Sequence, residues 1–184
     1  EVKAIEERLT VSGNKVISII VENDNEYIEV EDLGHKRNYM DLTREEIRKI
    51  VKESGIVGLG GAGFPTHVKL SPKDDEKIEY VIVNGAECEP YLTSDYRIMI
   101  EMPEKLVLGL KVILRLFPKA KGIIAIEDNK HEAIAKLIEL TKNEEDIEVK
   151  VLKTKYPQGS ERKLIYATTG KKINSSMLPS DVGC

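Results

Sequence analysis

The sequence has no tryptophan, only two phenylalanines and only two cysteines, and no apolar run in it approaches the roughly 20 residues of a membrane span. Two cysteines, Cys88 and Cys184, are too few for a disulfide framework. They form no Cys-x-x-Cys unit of the kind that holds zinc or an iron–sulfur cluster, so no metal site is expected and a reducing compartment fits best. There is no Lys/Arg tract, and the formal net charge is -4. Nucleic acid and anionic membrane surfaces, which call for a basic face, are thereby excluded as main partners. An initiating methionine and a signal-peptide pattern are both missing before Glu1, and no terminal helix or tail follows Asp181-Val182-Gly183-Cys184, which predicts a piece excised from a longer protein. Internal repeats and low-complexity tracts are absent too. What remains is a 184-residue chain, 41% hydrophobic and 33% charged, long enough for one sizeable core with a small appendage.

The appendage comes first. Leu9-Thr10-Val11, Lys15 to Val21 and Glu26 to Val30 alternate as short strands do, with turn formers at Ser12-Gly13-Asn14 and Glu22-Asn23-Asp24-Asn25, which predicts a small antiparallel β meander from about Arg8 to Asp32 within a segment of β structure and linker over residues 1–40. Two or three strands are marginal alone, so the meander is expected to complete a sheet begun upstream. Residues 33–40 show no periodicity and read as a linker. In the segment 41–184, Thr43 with Glu46 forms a capping-box pair, Ile47, Ile50 and Val51 share a helical face, and Gly55 stops that helix. Pro65 then opens a short helix, Thr66 to Leu70. Strands are predicted at Ile78–Val83, Gly122–Ile126 and Ile147–Leu152, and helices at Pro103–Phe117, Lys130–Lys142 and Ser160–Thr169. This alternation implies an α/β fold with a mainly parallel sheet and right-handed crossovers.

Three motifs carry the candidate chemistry. Gly58-Leu59-Gly60-Gly61-Ala62-Gly63-Phe64-Pro65-Thr66-His67-Val68-Lys69 is a glycine-dense loop. Such a loop can present bare N–H groups to a phosphate or ribityl chain, with Lys69 to answer a phosphate charge. Its Gly58-x-Gly60-x-x-Gly63 spacing satisfies the dinucleotide fingerprint, but the residues before it read as a helix rather than a strand. The first predicted strand runs into Asn84-Gly85-Ala86-Glu87-Cys88-Glu89-Pro90, and the third into Tyr156-Pro157-Gln158-Gly159-Ser160-Glu161. Ligands of open parallel sheets bind beyond the carboxyl ends of the strands, where both motifs fall. An Asn84 amide can donate and accept at a ring edge, and Glu87, Glu89 and Glu161 can accept from ribose or ribityl hydroxyls. The histidines, His35, His67 and His131, are isolated in sequence. Asp95 and Arg97 read equally as a helix start with a solvated charge pair, and Cys88 as a small packed thiol.

Taken together and in order, the three motifs resemble the C subunit of the Rnf electron transport complex and, more distantly, the flavin-bearing, NADH-oxidising subunit of respiratory complex I. The resemblance spans about Thr43 to Cys184, and the first strands are similar to the closing half of the barrel-sandwich (lipoyl-like) domain that precedes the flavin domain. It implies a Rossmann-like three-layer domain that binds FMN noncovalently, exchanges hydride with NAD(H) and passes single electrons to iron–sulfur clusters. It also implies that Gly58, Gly60, Gly61 and Lys69 line the flavin, with Asn84, Glu87, Tyr156 and Gly159 completing that pocket. Phe64, Glu89 and Glu161 would serve NAD(H). No acid or base is implied, because the flavin carries the chemistry. The 4Fe-4S clusters and an asparagine pair that helps hold FMN would lie beyond Cys184, which leaves the isolated piece with an incomplete flavin site and no expected activity of its own. Partners would be the other subunits of a membrane complex on its cytoplasmic side, coupling ferredoxin and NAD(H) to ion translocation. The chain departs from the complex I pattern at Leu59, where that family has Arg, at Ala86, where it has an acid, and at Ser160, where it has one of a paired Glu. The other readings are a subunit-docking module with vestigial nucleotide binding and a conventional NAD-dependent dehydrogenase. The helix before Gly58, and the lack of an acidic residue at the end of a second strand about 20 residues on, argue against the last.

Overall fold

The computed structural model describes residues 1–28, 37–59 and 62–184. The chain divides into two units, Glu1–Arg37 and Asn38–Cys184. In the first, β1 (Val2–Leu9) pairs antiparallel with β2 (Lys15–Val21), Ile5 opposite Ile19 and Leu9 opposite Lys15. The predicted strand at Leu9–Val11 is thus corrected. Thr10 and Val11 belong to the turn, which Thr10 N closes on Asn14 O at 2.8 Å while Gly13 takes φ 81°. The true first strand lies upstream, where Lys3, Glu6, Glu7 and Arg8 hide the alternation. No strand forms over Glu26–Ile28 either. The Asn23 and Asp24 carboxamide and carboxylate oxygens accept from Asn25 N and Glu26 N at 2.9 and 3.0 Å, a local alternative to strand pairing, and Tyr27 takes φ 54°. The remainder of that expected strand, Glu29 and Val30, and the predicted linker through residue 36 lie outside the described residues.

The second unit is built on three parallel strands in the order β3 (Tyr80–Gly85), β4 (Lys121–Glu127), β5 (Ile147–Leu152). The β3–β4 crossover contains α3 (Ser94–Glu101) and α4 (Pro103–Leu114). The β4–β5 crossover contains α5 (His131–Thr141), and α6 (Glu161–Thr169) follows β5. Parity along β4 makes three layers, because alternate side chains of a strand face opposite ways. Ile124 and Ile126 pack with Met99, Val107, Leu110, Ala133 and Leu137 of α3 to α5, whereas Ile123 and Ala125 pack with Leu152 and with Leu164 of α6. The Rossmann-like α/β reading therefore holds. A further cluster of Ile47, Leu70, Ile78, Leu116, Phe117 and Ala120 brings in α1 (Arg44–Glu53) and α2 (Thr66–Lys69).

The capping box is present in α1, where Glu46 N donates to Thr43 Oγ1 at 3.2 Å and Thr43 N to Glu46 Oε2 at 2.8 Å. Some element boundaries differ from expectation. Helix α4 ends at Leu114, and Leu116 and Phe117 are buried in the turn beyond it. Strand β3 starts at Tyr80 rather than Ile78 and runs on to include Asn84. Helix α3 was legible only as a helix start, because Ser94, Asp95, Arg97 and Glu101 mask a stripe anchored by the fully buried Met99. Among the described residues no helix is long and apolar enough to cross a membrane.

Candidate functional site

Helix α1 delivers the chain into the glycine loop, which is pinned at its base. Gly58 N donates to Phe64 O at 2.9 Å, Val57 bridges Pro65 antiparallel, and Thr66 N donates to Ile56 O at 3.0 Å. Gly63 takes φ 59°, a conformation that strains any residue with a Cβ. Leu59 and Phe64 are solvent-exposed. Gly60 and Gly61 lie outside the described residues.

The second and third motifs meet directly. Asn84 Nδ2 donates to Gly159 O at 2.8 Å, Asn84 Oδ1 accepts from Ala86 N at 3.2 Å, and Gly159 N donates to Cys88 Sγ at 3.4 Å. A Cβ on Gly159 would stand 2.2 Å from Ala86 O, so only glycine permits this approach. Glu89 and Tyr156 also meet. The charge of Glu89, and a hydrogen bond that its carboxylate accepts from the phenol, push the Tyr156 hydroxyl above its usual range.

The Glu87 carboxylate is engaged by the start of α3. Its Oε1 accepts from Asp95 N at 2.9 Å and Ser94 Oγ at 3.4 Å, its Oε2 accepts from Tyr96 N at 3.3 Å, and Lys130 Nζ lies 3.9 Å away. It is an anion set on the N-terminus of α3, where unpaired amides and the helix dipole favour negative charge. Burial first, and the Glu87 charge second, raise the Asp95 carboxyl above its ordinary value.

One cavity of about 340 Å³ is lined by residues of all three motifs, Lys69, Asn84 and Glu161 among them. Asn84 borders it at the end of β3. The rest of it follows the outer edge of β3 down past Tyr80 and Ile78 to Pro179 and Cys184, where Gly183 O accepts from Glu79 N and Tyr80 N at 2.9 and 3.0 Å. Gly58, Phe64, Glu87, Glu89, Tyr156 and Gly159 do not line it.

Sequence reasoning missed the supports under the third motif. Glu127 is wholly buried at the end of β4, and its Oε1 accepts from Lys155 N at 3.2 Å. Asp128 Oδ1 accepts from Thr154 N at 3.0 Å and Thr154 Oγ1 at 2.6 Å, which hold its carboxyl below the usual range, the hydroxyl contributing most. Both acids stand at the end of a parallel strand, the signal that would have found them. Glu127 Oε2 and Gln158 Oε1 are buried acceptors without a hydrogen-bond partner among the described residues.

Comparison with known proteins follows the same lines. The sequence profile of the Nuo51 FMN-binding domain matches residues 51–184. The C subunit of the Na(+)-translocating ferredoxin:NAD(+) oxidoreductase complex of Acetobacterium woodii is 45% identical over 183 residues, covering 100% of this chain and 41% of the relative. The C subunit of the proton-translocating ferredoxin:NAD(+) oxidoreductase complex of Clostridium ljungdahlii is 46% identical over 172 residues, covering 92% of this chain and 37% of the relative. The chain thus spans about two fifths of the length of these curated relatives. Crystal structures of NAD+-reducing NiFe-hydrogenase superpose over 75% of this chain and 26% of theirs, at TM-score 0.62 and 25% identity for the H2-reduced state and 0.60 and 26% for the air-oxidized state.

Proposed function

The chain belongs to the Nuo51 FMN-binding domain family, and from that premise we propose that its second unit holds FMN at the carboxyl edge of the parallel sheet. There it takes part in electron transfer between NAD(H) and a redox partner. The observation that carries this reading is the convergence of Lys69, Asn84 and Glu161, from three separated motifs, on one cavity. The donor set fits the group: an ammonium for a phosphate, an amide for a ring edge, a carboxylate for hydroxyl donors, and apolar walls from Leu70, Tyr80, Ile82 and Leu164. Gly58, Gly60, Gly61 and Lys69 would form the phosphate and ribityl side, with Asn84, Glu87, Tyr156 and Gly159 the opposing side. Phe64, Glu89 and Glu161 would receive NAD(H).

When bound, FMN supplies the exchange between two-electron hydride chemistry and single-electron transfer, and the protein supplies position and electrostatics. Asn84 keeps the second and third motifs at a fixed separation, so the pocket is preorganised rather than assembled by the ligand. Among the described residues no three His, Cys, Asp or Glu side chains come together as a metal site. In this reading the 4Fe-4S clusters that exchange electrons with ferredoxin belong to the full-length protein and its partner subunits, in an ion-translocating complex on the cytoplasmic side of the membrane.

A subunit-docking role is favoured by a second observation. Ile5, Ile17 and Ile19 share one face of the β1–β2 hairpin, and all three are exposed. In a pure docking module, nucleotide affinity would be vestigial. Titration of FMN into this chain and into the full-length protein, followed by flavin fluorescence, separates the two. A bound flavin spectrum supports the electron-transfer reading, and an unchanged spectrum from the full-length protein at high micromolar concentration overturns it.

A further inference from the structure

Lys130 is the N-cap residue of α5, three positions past the end of β4, and its side chain reaches Glu87, which follows the end of β3. That side chain is only 15% exposed, beside a Glu87 side chain that is 4% exposed. Its Nζ stands 3.9 Å from Glu87 Oε2 and 5.0 Å from the centroid of the Tyr96 ring, and among the described residues no acceptor lies within hydrogen-bonding distance of it. Glu87, by contrast, is saturated by the amides of Asp95 and Tyr96 and the Ser94 hydroxyl. The cluster therefore contains two carboxylates, Glu87 and Asp95, and one ammonium whose donors are uncommitted. Withdrawing an ammonium from water is costly unless it balances charge, and holding the aromatic face and one carboxylate at 3.9 Å is a partial balance. No family motif drew attention to this residue.

We infer that Lys130 is a positioning and charge-balancing residue of the flavin site, acting through Glu87. The inference rests on the reading of the second unit as an FMN site. Lys130 cancels the negative charge that Glu87 contributes to that edge of the sheet, and it fixes the Glu87 carboxylate on α3. The consequence is for the flavin's redox equilibrium. A neutral oxidised ring takes two electrons and one proton, delivered together as the hydride of NADH, which leaves NAD+ and a reduced ring bearing one net negative charge. A positive group nearby favours that reduced ring, and an uncompensated Glu87 disfavours it.

The test is the reduction potential of FMN bound to the full-length protein, measured by equilibration with a reference dye, for four proteins. Relative to the unmodified protein, Lys130→Met is expected to shift the reduced-to-oxidised ratio at least tenfold toward the oxidised flavin, about 30 mV for a two-electron couple. Lys130→Arg should remain within threefold of the unmodified protein. The double variant Lys130→Met/Glu87→Gln should recover most of the shift, because the net charge of the pair returns to zero. A role confined to packing would not produce that recovery. Where the Met variant fails to fold by circular dichroism, Lys130→Gln takes its place. An unchanged potential in Lys130→Met, or a double variant as displaced as the single one, overturns the inference and leaves FMN binding standing. Absence of FMN binding in the unmodified protein overturns the functional reading and this inference with it.

Discussion

Gly159→Ala tests whether the site is built by the close approach of its second and third motifs. The added Cβ would lie 2.2 Å from Ala86 O, a backbone atom that cannot swing aside. Relief requires the loop before α6 to move away from the end of β3 by about 1 Å, an overlap of the kind that costs about 1–3 kcal/mol in packed protein. That movement also breaks the 2.8 Å bond from Asn84 Nδ2 to Gly159 O, worth about 1 kcal/mol. Alanine restricts the unfolded chain and returns about 0.5–1 kcal/mol, so the net loss is about 1–3.5 kcal/mol. Gly109 provides the control. It lies within α4, and a Cβ added there would meet nothing inside 4 Å, so Gly109→Ala should gain about 0.5–1 kcal/mol. Urea denaturation followed by far-UV circular dichroism reads both. Should Gly159→Ala prove as stable as Gly109→Ala, the two motifs are not held in contact and the argument for a preorganised pocket fails.

Thr43→Ala removes the reciprocal cap of α1 and is expected to cost about 1 kcal/mol in the same denaturation assay. Asn84→Ala loses its bonds to Gly159 O and from Ala86 N, and FMN affinity should fall by about 1–3 kcal/mol, read by fluorescence titration against the unmodified protein. The Asp128 carboxyl is held below its ordinary value of 3.8 by the Thr154 hydroxyl first and the Thr154 amide second. A carboxylate depressed in the folded state stabilises above its unfolded pKa, and that contribution is lost as pH falls through the folded value. Thr154→Val should therefore raise the Asp128 pKa toward 3.8 in a carboxyl-carbon NMR titration and flatten the acid limb of stability. An unmoved titration would show that the hydroxyl bond is not formed in solution.

Periodicity exposed the elements whose apolar stripes are uninterrupted. Strand β5 occupies Ile147–Leu152 as read from its sequence, and α6 ends at Thr169 where the left-handed Gly170 stops it. Elements stabilised from a distance escaped. Helix α3 owes its start to Glu87, seven to nine residues upstream, and its place to the burial of Met99, neither of which leaves a local period. Strand β1 carries charges at Lys3, Glu6, Glu7 and Arg8 because both of its faces are open, so the half-buried alternation that marks a strand never develops. The candidate site was legible as three motifs because their residue types are chemically specific. Glu127, Asp128 and Lys130 were not, because an acid–acid–Asn–Lys run after a strand reads as a solvated turn until topology puts it beside the other two motifs.

The same contrast separates residues that build the pocket from residues left for a ligand. Glu87, in the middle of a motif, spends its carboxylate on α3 amides and on Lys130, and Gly159 spends its missing side chain on the contact with Ala86. Asn84 spends both ends of its amide joining two loops, though it still borders the cavity. Lys69 and Glu161 border the same cavity from α2 and from the first turn of α6, and in the proposed flavin reading they are the groups that would meet a ligand's charge and hydroxyls. The glycine loop belongs with the builders at its base. Gly58, Val57 and Thr66 tie its ends into a closed stem after a helix, a geometry that a strand–turn–helix dinucleotide fingerprint does not have. Leu59 and Phe64 are turned to solvent on either arm. Under the proposed flavin reading, recognition then rests on the joined Asn84 and Gly159 motifs as well as on the loop.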